Sequence, residues 1–221
     1  MATPRIYTAQ ALSKGLELAL EPGASRHFAG VLRLQKDDAI VLFDGNGGEY
    51  SAQIEQLDRK HVVVRVTQHH AVERESPLSI HLGIAISRGD RFDWVVQKAT
   101  ELGATHISPL ISERVEVKLK GERADKKLRH WQQIAISACE QCGRNKVPPV
   151  HSIQALASWA AAAEDDCRLV LHHRSGLSAA EIEGAQQHGF SPLTLGPRIL
   201  RTETAPLAAL VIVQQLWGDV A

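Results

Sequence analysis

Three runs between Ala39 and Thr67 are rich in β-branched residues and separated by turn formers: A-I-V-L-F-D, E-Y-S-A-Q-I and H-V-V-V-R-V-T. Short stretches of this composition read as strands. Asp44-Gly45-Asn46-Gly47-Gly48 joins the first two. It predicts a hairpin, because D-G and N-G both accept positive φ. A phosphate loop would need a helix after it, and here another strand follows. Upstream, H-F-A-G-V-L-R-L from His27 to Leu34 predicts one short helix. Residues 1–72 therefore read as a small β-rich domain, and the charged run Val72 to Pro77, closed by proline, predicts its boundary.

After Pro77 the rhythm changes. Leu78 to Ile86 reads as a strand. Asp90 to Leu102 carries Phe92, Val95, Val96, Ala99 and Leu102 on one helical stripe that Gly103 ends. Thr105 to Ile111 is a second strand. Ala124 to Cys142 is a long helix with Leu128, Trp131, Ile134, Ala135, Ala138 and Cys142 inward, and Cys167 to His172 a third strand. Ser178 and Glu181 form a capping box, with Leu177 and Ile182 as its staple; the helix they start closes at Gly189. Leu193 to Leu195 gives a short strand. Ala205 to Trp217 is a last helix, with Pro206 in its first turn and Gly218 past its end. Strands spaced by helices predict an α/β domain over residues 73–221, built on a parallel sheet covered on both faces.

Between the last strand and the last helix lies L-G-P-R-I-L-R-T-E-T-A, Leu195 to Ala205. Gly196 lets a ligand approach the backbone closely, and Pro197 stiffens the bend. Arg198 and Arg201 offer several fixed donors to an anion or a planar base, beside the unpaired N–H groups that open the next helix. From the residues alone, a strand-to-helix turn with solvated charges explains the stretch equally well.

Composition narrows the classes. With 25 basic and 25 acidic residues the formal charge is zero, so bulk electrostatics do not bind this chain to nucleic acid. Any such contact needs a local patch. Residues 112–146 supply one, with Arg114, Lys118, Lys120, Arg123, Lys126, Lys127, Arg129, Arg144 and Lys146 in excess over the acids, although a helix face laced with ion pairs is the plainer reading. No apolar run approaches a membrane span and the N-terminus carries no signal-peptide core, which points to a cytoplasmic protein. Cys139 and Cys142 form C-x-x-C without a second pair at zinc-finger spacing, so they read as buried helix cysteines. His69-His70 and His172-His173 are adjacent on strands and point to opposite faces, so no metal is expected.

Four further segments carry a resemblance: Ile86 to Gly103 (I-S-R-G-D-R-F-D-W-V-V-Q-K-A-T-E-L-G), Ser112 to Leu119 (S-E-R-V-E-V-K-L), Glu140 to Arg144 (E-Q-C-G-R) and Leu42 to Tyr50 (L-F-D-G-N-G-G-E-Y). With Leu195 to Ala205, and with Arg5-Ile6-Tyr7, they resemble the RsmE family in the same order over nearly the whole chain. Those are 16S ribosomal RNA uracil-N3 methyltransferases of the SPOUT class.

The resemblance implies an N-terminal PUA-like or OB-like β-barrel followed by a trefoil-knotted α/β domain, and a homodimer that methylates N3 of a uridine in the small ribosomal subunit. It implies S-adenosyl-L-methionine held against the backbone of Leu171, Leu195, Gly196, Ile199 and Leu200, with Thr204 nearby. Arg201 and Glu203 would be catalytic. Arg5, Arg26, His27 and Arg33 would contact RNA in the first domain, where ordinary surface charge is an equal reading; Arg88, Lys98, Arg144 and Arg198 match in the second. Two other functions stay open: a non-catalytic RNA-binding or ribosome-assembly protein on the same scaffold, and a SPOUT enzyme acting on transfer RNA.

In one place the chain departs from the pattern. The family carries a further strand and an I-G-P-E-G-G loop before the L-S of the capping box, whereas this chain runs H-H-R-S-G-L-S. The intact cap and staple downstream favour a segment left out of the sequence, between Ser175 and Gly176, over a true loss.

Overall fold

The computed structural model describes residues 3–21, 34–58, 61–115, 119–171 and 177–220. The helix expected at His27 to Leu34 lies, except for Leu34, outside the described residues, as do Arg26, Arg33, Lys118, His172 and His173. The fold is mixed α/β and divides into two compact units. The first takes Met1–Glu75 with Cys139–Val147, the second Ser76–Ala138 with Pro148–Ala221.

In the first unit, β1 (Arg5–Tyr7), β2 (Glu17–Ala19), β3 (Ala39–Phe43), β4 (Glu49–Leu57) and β5 (Val62–His70) form one sheet in the order β1-β3-β4-β5-β2. All pairings are antiparallel except β1 with β3. The expected hairpin joins β3 to β4. Gly45, Gly47 and Gly48 all take positive φ, and Asp44 Oδ1 accepts the Asn46 N–H at 3.0 Å. Along β5 the two-residue period sends Val62, Val64 and Val66 inward, where they pack with Ile40, Leu42 and Ile54, while Arg65 and Thr67 face out.

A polar clasp holds the edge of this sheet to residues 140–145. Arg5 pairs with Glu49 and donates to the Gly143 and Arg144 carbonyls, both at 3.2 Å, and to Asn145 Oδ1 at 2.8 Å. The Tyr7 N–H donates to Glu140 Oε1 at 3.1 Å. Arg144 grips Glu75 through Nε at 3.0 Å and Nη2 at 2.5 Å. Burial pushes the Glu49 carboxyl up, but hydrogen bonds from Arg74 and Arg5 outweigh it and hold the group below its usual range.

The second unit alternates strand and helix: β6 (His81–Ala85), α1 (Arg91–Glu101), β7 (His106–Ile111), α2 (Glu122–Cys142, its last turn counted with the first unit), β8 (Gln154–Ala155), α3 (Leu156–Ala161), β9 (Leu169–Leu171), α4 (Ala179–Gln187), β10 (Ser191–Leu193) and α5 (Thr204–Trp217). Every strand pairing is parallel, in two sheets, β6-β7-β8 and β10-β9. Phe92, Val95, Val96 and Ala99 are buried on α1 as its stripe predicts, and Phe92 packs on Trp131 of α2 with ring centroids 4.3 Å apart. The last strand forms two residues earlier than expected, because Ser191 locks onto the Arg168 carbonyl at 2.7 Å and sets the register with β9. The capping box forms at α4, with Ser178 Oγ accepting from the Glu181 N–H and Glu181 Oε2 from the Ser178 N–H.

One buried amide ties α1 to α5. Gln214 is fully buried; its Nε2 donates to the Leu102 carbonyl at 3.0 Å and its Oε1 accepts from Ser76 Oγ at 2.7 Å. Gly103, at φ +83°, leaves room for it, since a Cβ there would collide with Gln214 Nε2.

Candidate active site at two helix N-termini

Two helices of the second unit begin beside one polar cavity of about 710 Å³, lined by Arg88, Gly89, Asp90, Arg91 and Trp94 from the start of α1 and by Arg201, Glu203 and Thr204 from the start of α5. Neither N-cap residue, Asp90 or Glu203, makes a side-chain capping hydrogen bond. Helix N–H groups without a cap favour negative charge. The three arginines act in the same direction. Trp94 is 44% exposed, an unusual state for a tryptophan beside the buried Phe92 and Val95 of the same helix.

Arg201 is open to solvent. Its side chain is 82% exposed and lies 3.8 Å from the Glu203 carboxylate, which is itself only 13% exposed and accepts from Thr202 Oγ1 at 3.2 Å. Arg201 also lines a second cavity of about 780 Å³, whose walls include Leu171, Leu193, Leu200, Ala205 and Leu210. Arg201 thus stands between a pocket lined largely by charged side chains and one lined largely by apolar ones.

Of the expected cofactor residues, Leu171 and Leu200 line the apolar cavity and Thr204 the polar one. Leu195, Gly196 and Ile199 form the bend before α5; Ile199 is 71% exposed, and Gly196 takes φ +69° with open space where a Cβ would stand. An apolar chamber of this size beside a bend with accessible main chain suits a nucleoside-bearing cofactor. Arg198 is exposed on that bend, and Arg88 lines the same cavity as Arg201. Lys98 lies beyond that group, on the last turn of α1, ion-paired with Glu101 at 2.8 Å. Arg5 and Arg144 belong to the clasp of the first unit, Arg144 being only 5% exposed. Arg26, His27 and Arg33 are outside the described residues.

Sequence reasoning passed over Trp94 and Arg91. The available signal was a tryptophan on the polar side of an otherwise regular stripe. Cys139 is buried, and burial pushes its thiol up to about 12, which keeps it protonated at neutral pH. Cys142 is half-buried and unbonded to it. Among the described residues no group of three or more His, Cys, Asp or Glu side chains is placed to hold a metal ion, and no helix is long and apolar enough to cross a membrane.

A family model described as an RNA methyltransferase PUA domain matches residues 20–67, and one described as an RNA methyltransferase domain matches residues 74–176 and 175–214. The ribosomal RNA small subunit methyltransferase E of Buchnera aphidicola subsp. Schizaphis graminum is 32% identical over 241 positions that cover 99% of this chain and 98% of its own. The chain belongs to the ribosomal RNA small subunit methyltransferase E family. The Bacillus subtilis member is 31% identical, covering 87% of this chain and 89% of its own. A crystal structure of the Neisseria gonorrhoeae member bound to S-adenosyl methionine superposes with a TM-score of 0.94 at 40% identity, covering 100% of both chains.

Proposed function

We propose that this chain transfers a methyl group from S-adenosyl-L-methionine to the ribosomal RNA of the small subunit. The observation that carries the reading is the position of Arg201, on the wall shared by the apolar and the polar cavity. When bound, the cofactor supplies a methyl group on a sulfonium. The backbone at Leu171, Leu195, Gly196, Ile199 and Leu200, with Thr204, would hold it on the apolar side.

The acceptor base is N3 of a uridine, stacked on the exposed face of Trp94, a contact of about 1–3 kcal/mol for a base on an aromatic ring. Alignment of nitrogen and methyl group supplies much of the rate. The N3 proton must leave as the bond forms. Arg201 cannot take it, since guanidinium stays protonated; it stabilises charge developing on the ring oxygens. Glu203 accepts the proton or orients the base. Arg88 and Arg198 hold flanking phosphates, as does the uncapped N-terminus of α1.

The finer architecture follows the family resemblance: a PUA-like barrel over residues 1–72, a trefoil-knotted domain over 73–221, and a cytoplasmic homodimer. The apolar residues that α5 leaves exposed, Ile212 at 40%, Leu216 at 61% and Trp217 at 60%, support dimerisation. Nucleoside mass spectrometry of small-subunit RNA from a strain lacking the gene tests the assignment. Loss of 3-methyluridine is expected; an undiminished signal would sink it in favour of a binding protein on the same scaffold.

A further inference from the structure

Two helices of the second unit treat the acid at their third position differently. In α4 the N-cap is Ser178 and the third residue Glu181, whose carboxylate folds back onto the Ser178 N–H. In α1 the N-cap is Asp90, which makes no side-chain capping hydrogen bond, and the third residue is Asp93. Folding back would close a capping box here too. The Asp93 carboxylate turns instead to α2. Its Oδ1 accepts from Trp131 Nε1 at 2.8 Å and its Oδ2 from His130 Nε2 at 2.6 Å, while Lys127 Nζ lies 3.8 Å from Oδ1. An indole N–H can only donate and an ionised carboxylate can only accept, so the direction of these bonds is fixed.

The surroundings suit a firm hold. Burial pushes the Asp93 carboxyl up, but hydrogen bonds from His130 and Trp131 outweigh it and hold the group below its usual range. The apolar half of the same contact is the packing of Phe92 on Trp131, both fully buried. Phe92 and Asp93 are therefore gripped by α2. The residues on either side of them, Arg91 and Trp94, line the polar cavity, which Asp93 itself does not line.

We infer that Asp93 is a positioning residue for the acceptor RNA: clamped by His130 and Trp131 of α2, it immobilises the first turn of α1 and presents the exposed Trp94 ring as a rigid platform for a base. The inference rests on the stacking at Trp94 proposed above. A platform already fixed before the RNA arrives loses less freedom on binding than a mobile one, and affinity rises accordingly. Asp93 thus acts through Trp94 and touches no reacting atom.

The experiment reads two quantities on the full chain: the backbone order parameter of Trp94 by NMR relaxation, and the Kd for an unmodified transcript of small-subunit ribosomal RNA by fluorescence titration. In Asp93→Ala the order parameter is expected to fall from about 0.85 to below about 0.6, and the Kd to rise about 10-fold. Asp93→Asn should restore both, because its Oδ1 still accepts from Trp131 and its amide donates to the other tautomer of His130. Asp93→Ala should add nothing to the Kd of Trp94→Ala, since one works through the other. Additive losses would make Asp93 merely structural and overturn the inference, as would an unchanged Trp94 order parameter or an unchanged Kd in Asp93→Ala. Should that variant fail to fold, His130→Ala, at a side chain 49% exposed, removes one arm of the clamp and should move both readouts in the same direction; no movement in either overturns the inference. Methyl transfer is judged apart, by the nucleoside assay. A chain that binds RNA through the clamped ring, while 3-methyluridine persists in the strain lacking the gene, upholds the clamp and sinks the methyl-transfer reading.

Discussion

The two units bury their strands to very different degrees. In the first, Leu42, Ile54, Val62 and Val64 are wholly inaccessible, and even the charged residues at its edge are paired within the clasp. In the second, β6 is half-exposed along its whole length, and the arginines cluster on an open cavity. Cohesion and exposure have been divided: Arg5 and Arg144, which resemble RNA contacts, hold the first unit together, while the Arg201 side chain of the second is 82% exposed.

The sharpest test of that division is Arg144→Ala. It leaves Glu75 without its buried partner, and losing one half of a buried ion pair costs about 3–5 kcal/mol. Chemical denaturation should show that loss. A stable variant with weakened RNA affinity would move Arg144 from the clasp to the RNA surface. Arg201→Ala should do the reverse. Removing one preorganised donor to developing charge lowers turnover by about 10²–10³-fold, whereas an arginine this exposed should shift stability by less than about 0.5 kcal/mol; a collapsed thermal midpoint would make it structural.

Ser178→Ala is a milder probe. It removes the α4 cap, and about 1 kcal/mol of stability should go with it, read as a lower denaturation midpoint of the second unit. The smallest effect is with pH. The Trp159 indole N–H can only donate, so His81 Nε2 must accept, 3.4 Å away, and Ser108 Oγ lies 2.8 Å from the same nitrogen. Burial, then His151 and His106, push the His81 imidazole below its ordinary value; burial and His106 do the same to His151. A lowered folded value means that the unfolded chain binds more protons. This stability is full above about pH 6.5 and drains as pH falls through the lower folded values. Glu49 behaves likewise from the ordinary carboxylate range downwards. Acid titration followed by unit-specific fluorescence should therefore weaken the second unit first; simultaneous loss would contradict the contrast.

Much of this was legible in the sequence. The stripe of α1, the Asp44–Gly48 hairpin and the Ser178–Glu181 cap are local patterns whose physics is complete within a few residues, and they appear where the pattern puts them. What escaped depends on distant partners. β8 and α3 are two and six residues long, too short for any periodicity to announce them. Nothing near Arg144 says that Glu75, far along the chain, will hold it. Trp94 was counted into a helix whose core face it does not share.

The Gln214 amide has one last implication. Helices α1 and α5 start at the polar cavity, yet they are pinned to each other near their far ends, at Leu102 and Gln214. Ten residues of helix set that pin roughly 15 Å from Thr204. The pair works as forceps, with the spacing of its tips set at the rivet, so a change there can shift Arg201 relative to Arg88 while every residue of the cavity keeps its identity.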